Sequence, residues 1–179
     1  LTEHYNPIIP RIRNCPKPVV AAVNGVAAGA GANIALACDV VVAAQSASFI
    51  QAFSKLGLIP DSGGTYTLPR LIGWQKASAL MMLGDKVPAA AAEAMGMLYK
   101  VFPDDTFSTE SKKLAATLAQ MPTQGLAYIK QVLNQSMTNG LEQQLLLEDT
   151  YQQKAAATAD FKEGINAFLE KRPAIFKGE

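Results

Sequence analysis

The chain has 179 residues, a length typical of one domain whose core is large enough to fold. Hydrophobic residues make up 49% and charged residues 17%, which excludes a disordered chain, and a formal net charge of +1 gives no basic field for nucleic acid or an anionic membrane. The chain has two cysteines, no secretory signal, and no apolar run of the roughly 20 residues that span a bilayer. These features predict a reduced, cytoplasmic protein.

Strands and a small-residue helix alternate in the first fifty residues. Residues 18–23 form a short apolar run with β-branched side chains, and Asn24 and Gly25 follow it, which predicts a buried strand. Small residues at 26–32 lead into a helix-compatible stretch that ends before Asp39. Residues 40–43 and 48–50 read as two further strands. This order of strand, glycine-rich turn, helix and strand is typical of α/β architecture.

The remaining chain changes from mixed structure to helices at about residue 103. A loop at 57–65 contains Pro60 and several glycines, and helices are predicted at 65–72, 75–83 and 88–95, with a last strand at 98–102. Helices alone are predicted beyond Pro103, at 106–120, 123–134, 141–157 and 161–170. We therefore expect an α/β core with the active site in residues 1–103 and a helical region in residues 104–179.

Gly29, Ala30 and Gly31 form the first candidate site. Small residues at the start of a helix let a ligand approach the backbone, and the helix offers N–H groups without partners there. Such donors can hold a developing oxyanion. The spacing fits neither a P-loop nor a dinucleotide-binding turn. The alternative is tight packing of helix against strand through small residues.

Asp61 is the second candidate, as a lone carboxylate in an apolar loop shaped by Pro60 and Gly63. A carboxylate in these surroundings suits a general base. The alternative is a helix cap, a role that Ser62 could also fill and so leave Asp61 free. His4 is the only histidine and lies near the chain start, so histidine-based triads and metal sites are disfavoured.

Taken in order, these motifs resemble the crotonase (enoyl-CoA hydratase/isomerase) superfamily. The resemblance runs through residues 17–25, 27–31, 35–39, 59–65, 68–70, 163–164 and 167–172. It implies a ββα spiral core, C-terminal helices that build homotrimers often paired into hexamers, and an acyl-CoA substrate. Coenzyme A is part of that substrate, so no separate cofactor is expected, and neither nucleic acid nor membrane is an expected partner.

In this superfamily two backbone N–H groups hold the thioester oxygen, and the resemblance assigns one of them to Ala30, with Gly29 beside the substrate. The other donor lies upstream of Leu1 in the family. The chain also lacks an initiator methionine and begins within a pattern. We therefore expect a fragment or a partly ordered product, without the N-terminal part of the core.

The chain departs from the hydratases of the superfamily at two positions. Hydratases carry one glutamate where this sequence has Asn33 and a second where it has Phe53, and the pair activates the water that they add. Asp61 matches the acid/base aspartate of some isomerases. The run at 52–61 looks closest to ring-1,2-epoxyphenylacetyl-CoA isomerases of bacterial phenylacetate degradation. The resemblance thus implies an isomerase with Asp61 and Ala30 as catalytic groups and Asn33 and Phe53 beside the substrate.

Phe168 and Lys171 match positions that contact coenzyme A in the superfamily, commonly from a neighbouring subunit. Their alternatives are helix packing for Phe168 and a solvated charge for Lys171.

Two other functions stay open: a Δ3,Δ2-enoyl-CoA isomerase or divergent enoyl-CoA hydratase, and a non-catalytic or truncated crotonase-fold protein that assembles with a partner. Substrate turnover separates the first from the proposed isomerase, and the mass of the purified protein tests the second.

Overall fold

A computed structural model describes all residues, 1–179, and divides them into two compact units. The first unit contains residues 1–13 and 19–113, and the second contains residues 14–18 and 114–179. The boundary predicted at residue 103, where the composition changes to helices alone, stays a prediction. No helix is both long enough and apolar enough to cross a membrane.

The first unit is built around two small sheets. The strands are β1 (Val20–Val23), β2 (Val26–Ala28), β3 (Val40–Ala44), β4 (Ser48–Ile50), β5 (Lys86–Pro88) and β6 (Lys100–Phe102). One sheet has the order β1-β3-β6 and is parallel throughout. In the other sheet β4 pairs in parallel with β2 and antiparallel with β5. Val42 and Ala43 of the central strand β3 are fully buried, as expected for a parallel sheet covered on both faces.

Helices surround these sheets in the first unit. They are α1 (Ile8–Asn14), α2 (Ala30–Leu36), α3 (Gly64–Ile72), α4 (Trp74–Leu83) and α5 (Ala89–Ala94), and α6 (Phe107–Ala119) continues into the second unit. Leu68 and Ile72 lie four residues apart on α3 and are both buried, so this helix packs through one apolar stripe. Trp74 begins α4 and is 73% exposed.

The second unit contains α7 (Thr123–Ser136), α8 (Leu141–Ala156) and α9 (Ala159–Glu170), followed by a C-terminal segment held by carboxylates. The buried Asp160 side chain accepts the N–H groups of Lys177 and Gly178 at 2.7 and 2.8 Å. Glu163 pairs with the Arg172 guanidinium through two contacts of 2.6 and 2.9 Å. These charge-assisted bonds fix residues 172–178 against α9.

Four elements are absent from the sequence-based prediction, namely α1, β2, β5 and the 3₁₀ helix Ser54–Leu56. The other predicted elements are present with ends shifted by a few residues. The leucines of α8 stay uncovered within the second unit, because no residue of this helix is buried and Leu141 and Leu146 are 76% and 70% exposed.

Candidate active site

The start of α2 is shaped by a glycine that a side chain could not easily replace. Gly29 joins β2 to α2 with φ +53° and ψ −125°, a backbone conformation that favours glycine. Its N–H donates to the Ile50 carbonyl of β4 at 2.9 Å. Ala30 therefore occupies the first position of α2, where its N–H has no partner within the helix. A donor of this kind is available to an oxyanion.

Phe53 lies directly over this turn. A Cβ atom on Gly29 would come within 3.5 Å of the Phe53 ring, so the ring packs against the glycine. Phe53 is 8% exposed, and its carbonyl accepts the N–H groups of Leu56 and Leu58 at 2.9 and 3.0 Å. The ring is thus held in place by the short 3₁₀ helix Ser54–Leu56 that follows it.

The Asp61 loop carries a carboxylate of which only one oxygen is hydrogen-bonded. The Ser62 hydroxyl donates to Asp61 Oδ1 at 3.0 Å, and the other carboxylate oxygen has no hydrogen-bond partner. Ser62 is buried with φ +49°, an uncommon conformation for a residue other than glycine. The cap of α3 is Gly63, without a side-chain bond. The alternative that Asp61 or Ser62 caps this helix is therefore wrong.

A cleft of about 480 Å³ opens beside this carboxylate. It is lined by Leu1, Asn6, Phe53, Leu58, Ile59, Pro60, Asp61, Ser62 and Gly63. Asp61 is the only acidic side chain among them, and most of the wall is apolar. A single partly buried carboxylate in an apolar cleft is suited to taking up a proton and giving it back.

Asn33 lies beneath the Asp61 loop rather than in the cleft. Its side chain is 1% exposed, and its Nδ2 donates to the Asp61 carbonyl at 2.8 Å. Its Oδ1 accepts a hydrogen bond from Gln51 Nε2, also at 2.8 Å. Asn33 and Asp61 are thus brought together across 28 residues of sequence. The substrate-binding role of Asn33 stays a prediction.

Gln51 is the residue of this region that sequence reasoning missed. It directly follows β4, is 5% exposed, and makes its hydrogen bond with the amide of Asn33. The available signal was a polar side chain immediately after a buried strand, since the carboxyl ends of parallel strands are where α/β sites form. The contact of the Ser62 hydroxyl with the Asp61 carboxylate is the second feature that the sequence does not indicate.

Phe168 and Lys171 belong to the helical unit. Phe168 is 81% exposed and lies at the edge of an apolar cavity of about 410 Å³, together with Phe161 and Phe176. Lys171 ends α9 in the left-handed conformation, with φ +54°, and its side chain is exposed. Both side chains are therefore accessible to a ligand, and their contact with coenzyme A stays a prediction.

Comparisons with known proteins agree on one family. Residues 1–179 match the family model described as enoyl-CoA hydratase/isomerase. The 1,2-epoxyphenylacetyl-CoA isomerase of Escherichia coli (strain K12) is 51% identical over 175 residues, which are 98% of this chain and 67% of that protein. A protein of Rhodobacter capsulatus named probable enoyl-CoA hydratase is 47% identical over 178 residues, 99% of this chain and 69% of that protein.

A solved structure has the same fold. The enoyl-CoA hydratase from Polaromonas sp. JS666 aligns with a TM-score of 0.90 and 40% identity, over 94% of this chain and 66% of that one. The chain thus spans about two thirds of the length of the proteins that it matches. The predicted fold, a crotonase-like α/β core with a C-terminal helical region, is confirmed.

Proposed function

The chain belongs to the enoyl-CoA hydratase/isomerase family, and we propose that it acts as an isomerase that shifts a proton on a coenzyme A thioester. We further propose 1,2-epoxyphenylacetyl-CoA as the substrate, in cytoplasmic phenylacetate catabolism. The observation that carries the proposal is Asp61, the single acidic side chain in an apolar cleft, with one carboxylate oxygen free of partners. One carboxylate is enough for a proton shuttle.

The proposed reaction balances without water. Asp61 removes a proton from the carbon next to the thioester carbonyl. The electron pair of the broken C–H bond forms a C=C bond to the carbonyl carbon, and the C=O π pair moves onto the oxygen to give an enolate. The Ala30 N–H, together with a second donor that the family carries upstream of Leu1, stabilises this oxyanion. The protonated Asp61 then returns the proton elsewhere on the conjugated system, on the ring side for the epoxide.

The two positions that carry glutamates in hydratases support isomerisation over hydration. Phe53 offers a buried ring in place of one carboxylate, and Asn33 uses its amide within the protein. Neither can act as the base that activates water. The relative named as an isomerase is 51% identical and the one named as a hydratase is 47% identical, so a divergent hydratase is the alternative that the assay must distinguish.

Binding of coenzyme A is proposed to involve the helical unit. Phe168 and Lys171 are exposed, and a lysine side chain can pair with phosphate as a point charge. We propose that they contact coenzyme A bound to a neighbouring subunit of a homotrimer or a hexamer. The uncovered leucines of α8 are compatible with burial between subunits.

The Asp61→Asn variant tests the proposed function. With 1,2-epoxyphenylacetyl-CoA as substrate, we expect kcat to fall by about 10²–10⁴-fold, because general acid–base catalysis contributes this much. Asp85→Asn, at an exposed aspartate outside the cleft, is the matched control and should retain full activity. Crotonyl-CoA is assayed alongside, since loss of its conjugated absorbance reports hydration. Full activity of Asp61→Asn, or hydration that survives in it, would refute the proposal.

A further inference from the structure

The Asn33 amide is the centre of a buried chain of hydrogen bonds that ends on Asp61. Gln51 Nε2 donates to Asn33 Oδ1, and Asn33 Nδ2 donates to the Asp61 carbonyl. A carbonyl oxygen only accepts, so Asn33 must direct its NH₂ group to Asp61 and its oxygen to Gln51. The Asp61 carbonyl therefore fixes the orientation of the Asn33 amide, and the Asn33 oxygen in turn fixes the orientation of the Gln51 amide.

The same carbonyl also accepts the N–H of Gly64 at 2.9 Å. Two donors on one carbonyl restrain the backbone of Asp61 from two directions, one from α2 and one from the start of α3. The Asp61 carboxylate is attached to this restrained backbone, and the Ser62 hydroxyl holds its Oδ1. The backbone carbonyl of the candidate base and one oxygen of its carboxylate are thus both hydrogen-bonded.

Close packing keeps the Asn33 amide under the loop. Gly64 leaves the space that the amide occupies, because a Cβ atom there would approach Asn33 Cγ to 2.6 Å. The chain of bonds also retains a cost, since the buried Oε1 of Gln51 has no partner. A buried acceptor without a hydrogen bond lowers the stability of the fold. A network kept at this cost is more readily explained by a role at the site than by stability alone.

We infer that Asn33 is a positioning residue, which sets the place of the Asp61 carboxylate by holding its carbonyl and is itself oriented by Gln51. The inference rests on the proposed function, in which Asp61 moves the proton. Asn33 acts through the backbone of Asp61 and need not touch the substrate. Misplacement of a reacting group by about 1 Å can cost about 10²-fold in rate, so loss of this restraint should reduce kcat strongly.

Asn33→Asp is the principal variant, because it keeps the size of the side chain and the acceptor for Gln51 but removes the donor to Asp61. We expect kcat for 1,2-epoxyphenylacetyl-CoA to fall by about 10–100-fold, with KM changed less than about threefold. Gln51→Met, which leaves the Asn33 donor in place, should give a smaller loss. Asn139→Asp changes an amide that donates to Gln144 in the helical unit, and it should leave kcat unchanged.

A double-mutant cycle with Asp61→Asn separates positioning from general damage. Residues that act as a unit have strongly non-additive effects. If Asn33 works through the Asp61 carboxylate, adding Asn33→Asp to Asp61→Asn should change the residual rate by less than about threefold. A loss of equal size in both backgrounds, or wild-type kcat in Asn33→Asp, would overturn the inference. If thermal unfolding shows that Asn33→Asp does not fold, Gln51→Met takes its place in the cycle. Full activity of Asp61→Asn alone would instead refute the proposed function.

Discussion

Replacing Gly64 with alanine tests the packing on which the Asp61 loop depends. Helix propensity alone favours alanine over glycine by up to about 1 kcal/mol, so this substitution would stabilise an ordinary helix. Here the added methyl group would lie 2.6 Å from Asn33 Cγ and 2.7 Å from Asn33 Oδ1. Real Cβ contacts are not this short, and the Asn33 amide is 1% exposed and hydrogen-bonded to both Asp61 and Gln51.

The expected change in the free energy of unfolding follows from the interactions that Gly64→Ala would break. Displacing Asn33 breaks its hydrogen bonds to Asp61 and Gln51, each with a net value of about 1 kcal/mol. Overpacking of a buried position adds about 1–3 kcal/mol, and the propensity gain offsets part of this sum. We expect Gly64→Ala to destabilise the protein by about 2–4 kcal/mol, which lowers the midpoint of thermal unfolding by about 4–16 °C in a chain of this size.

Thermal unfolding followed by circular dichroism measures this shift, with Gly125→Ala as the matched control. A Cβ atom on Gly125 in α7 would meet its nearest neighbour, Pro122 Cγ, at an ordinary distance of 3.7 Å. That variant should unfold at the wild-type temperature or slightly above it. A Gly64→Ala protein that is as stable as the control would refute the close contact between Gly64 and Asn33, and with it the tight restraint of the Asp61 loop.

Two further predictions concern the helical unit. Pairing with Arg172 and the N–H of Ile175 lowers the pKa of Glu163 from 4.5 to about 2. Because the folded pKa is the lower one, the stabilisation by this carboxylate is fully present above about pH 4.5 and is lost as the pH falls towards 2. The difference in unfolding free energy between wild type and Glu163→Gln should therefore be constant at neutral pH and shrink over that window, and a difference independent of pH down to 2 would contradict the pairing. Lys171→Ala should weaken binding of coenzyme A by about two- to fivefold at low salt and by less at high salt, as for an exposed ion pair. Lys162→Ala on the same helix is the control, and equal affinities of the two variants in calorimetry would refute a contact between Lys171 and coenzyme A.

The sequence indicated the main elements of the fold because their signals are local. The apolar β-branched run at residues 40–43 and the long helices after residue 103 follow from composition and periodicity. The strands β2 and β5 have three residues each, too few for any period to be recognised. Helix α1 contains Pro10 in its first turn, where proline is tolerated, but the residue also reads as the end of an element.

The candidate base could be proposed from the sequence, and its surroundings could not. Asp61 stands out as the only charged residue in a loop of glycine, proline and apolar residues. Its restraint by Asn33 joins residues 28 positions apart, and the bond between Gln51 and Asn33 joins residues 18 apart. Pairings over such separations depend on how α2 and the strand before Gln51 pack, and no pattern of neighbouring residues encodes them.

The residues at positions 33 and 61 are coupled through this bond. A carboxylate at position 33 would face the Asp61 carbonyl without a proton to donate, so it would repel the loop that an amide attracts. An amide at position 33 is therefore compatible with a site whose acidic residue lies on the loop, as Asp61 does. Phe53 contributes an apolar ring to the cleft, where a glutamate would contribute a carboxylate. Under the proposed function, the amide at position 33, the ring at position 53 and the carboxylate at position 61 together give a site in which a single carboxylate moves a proton.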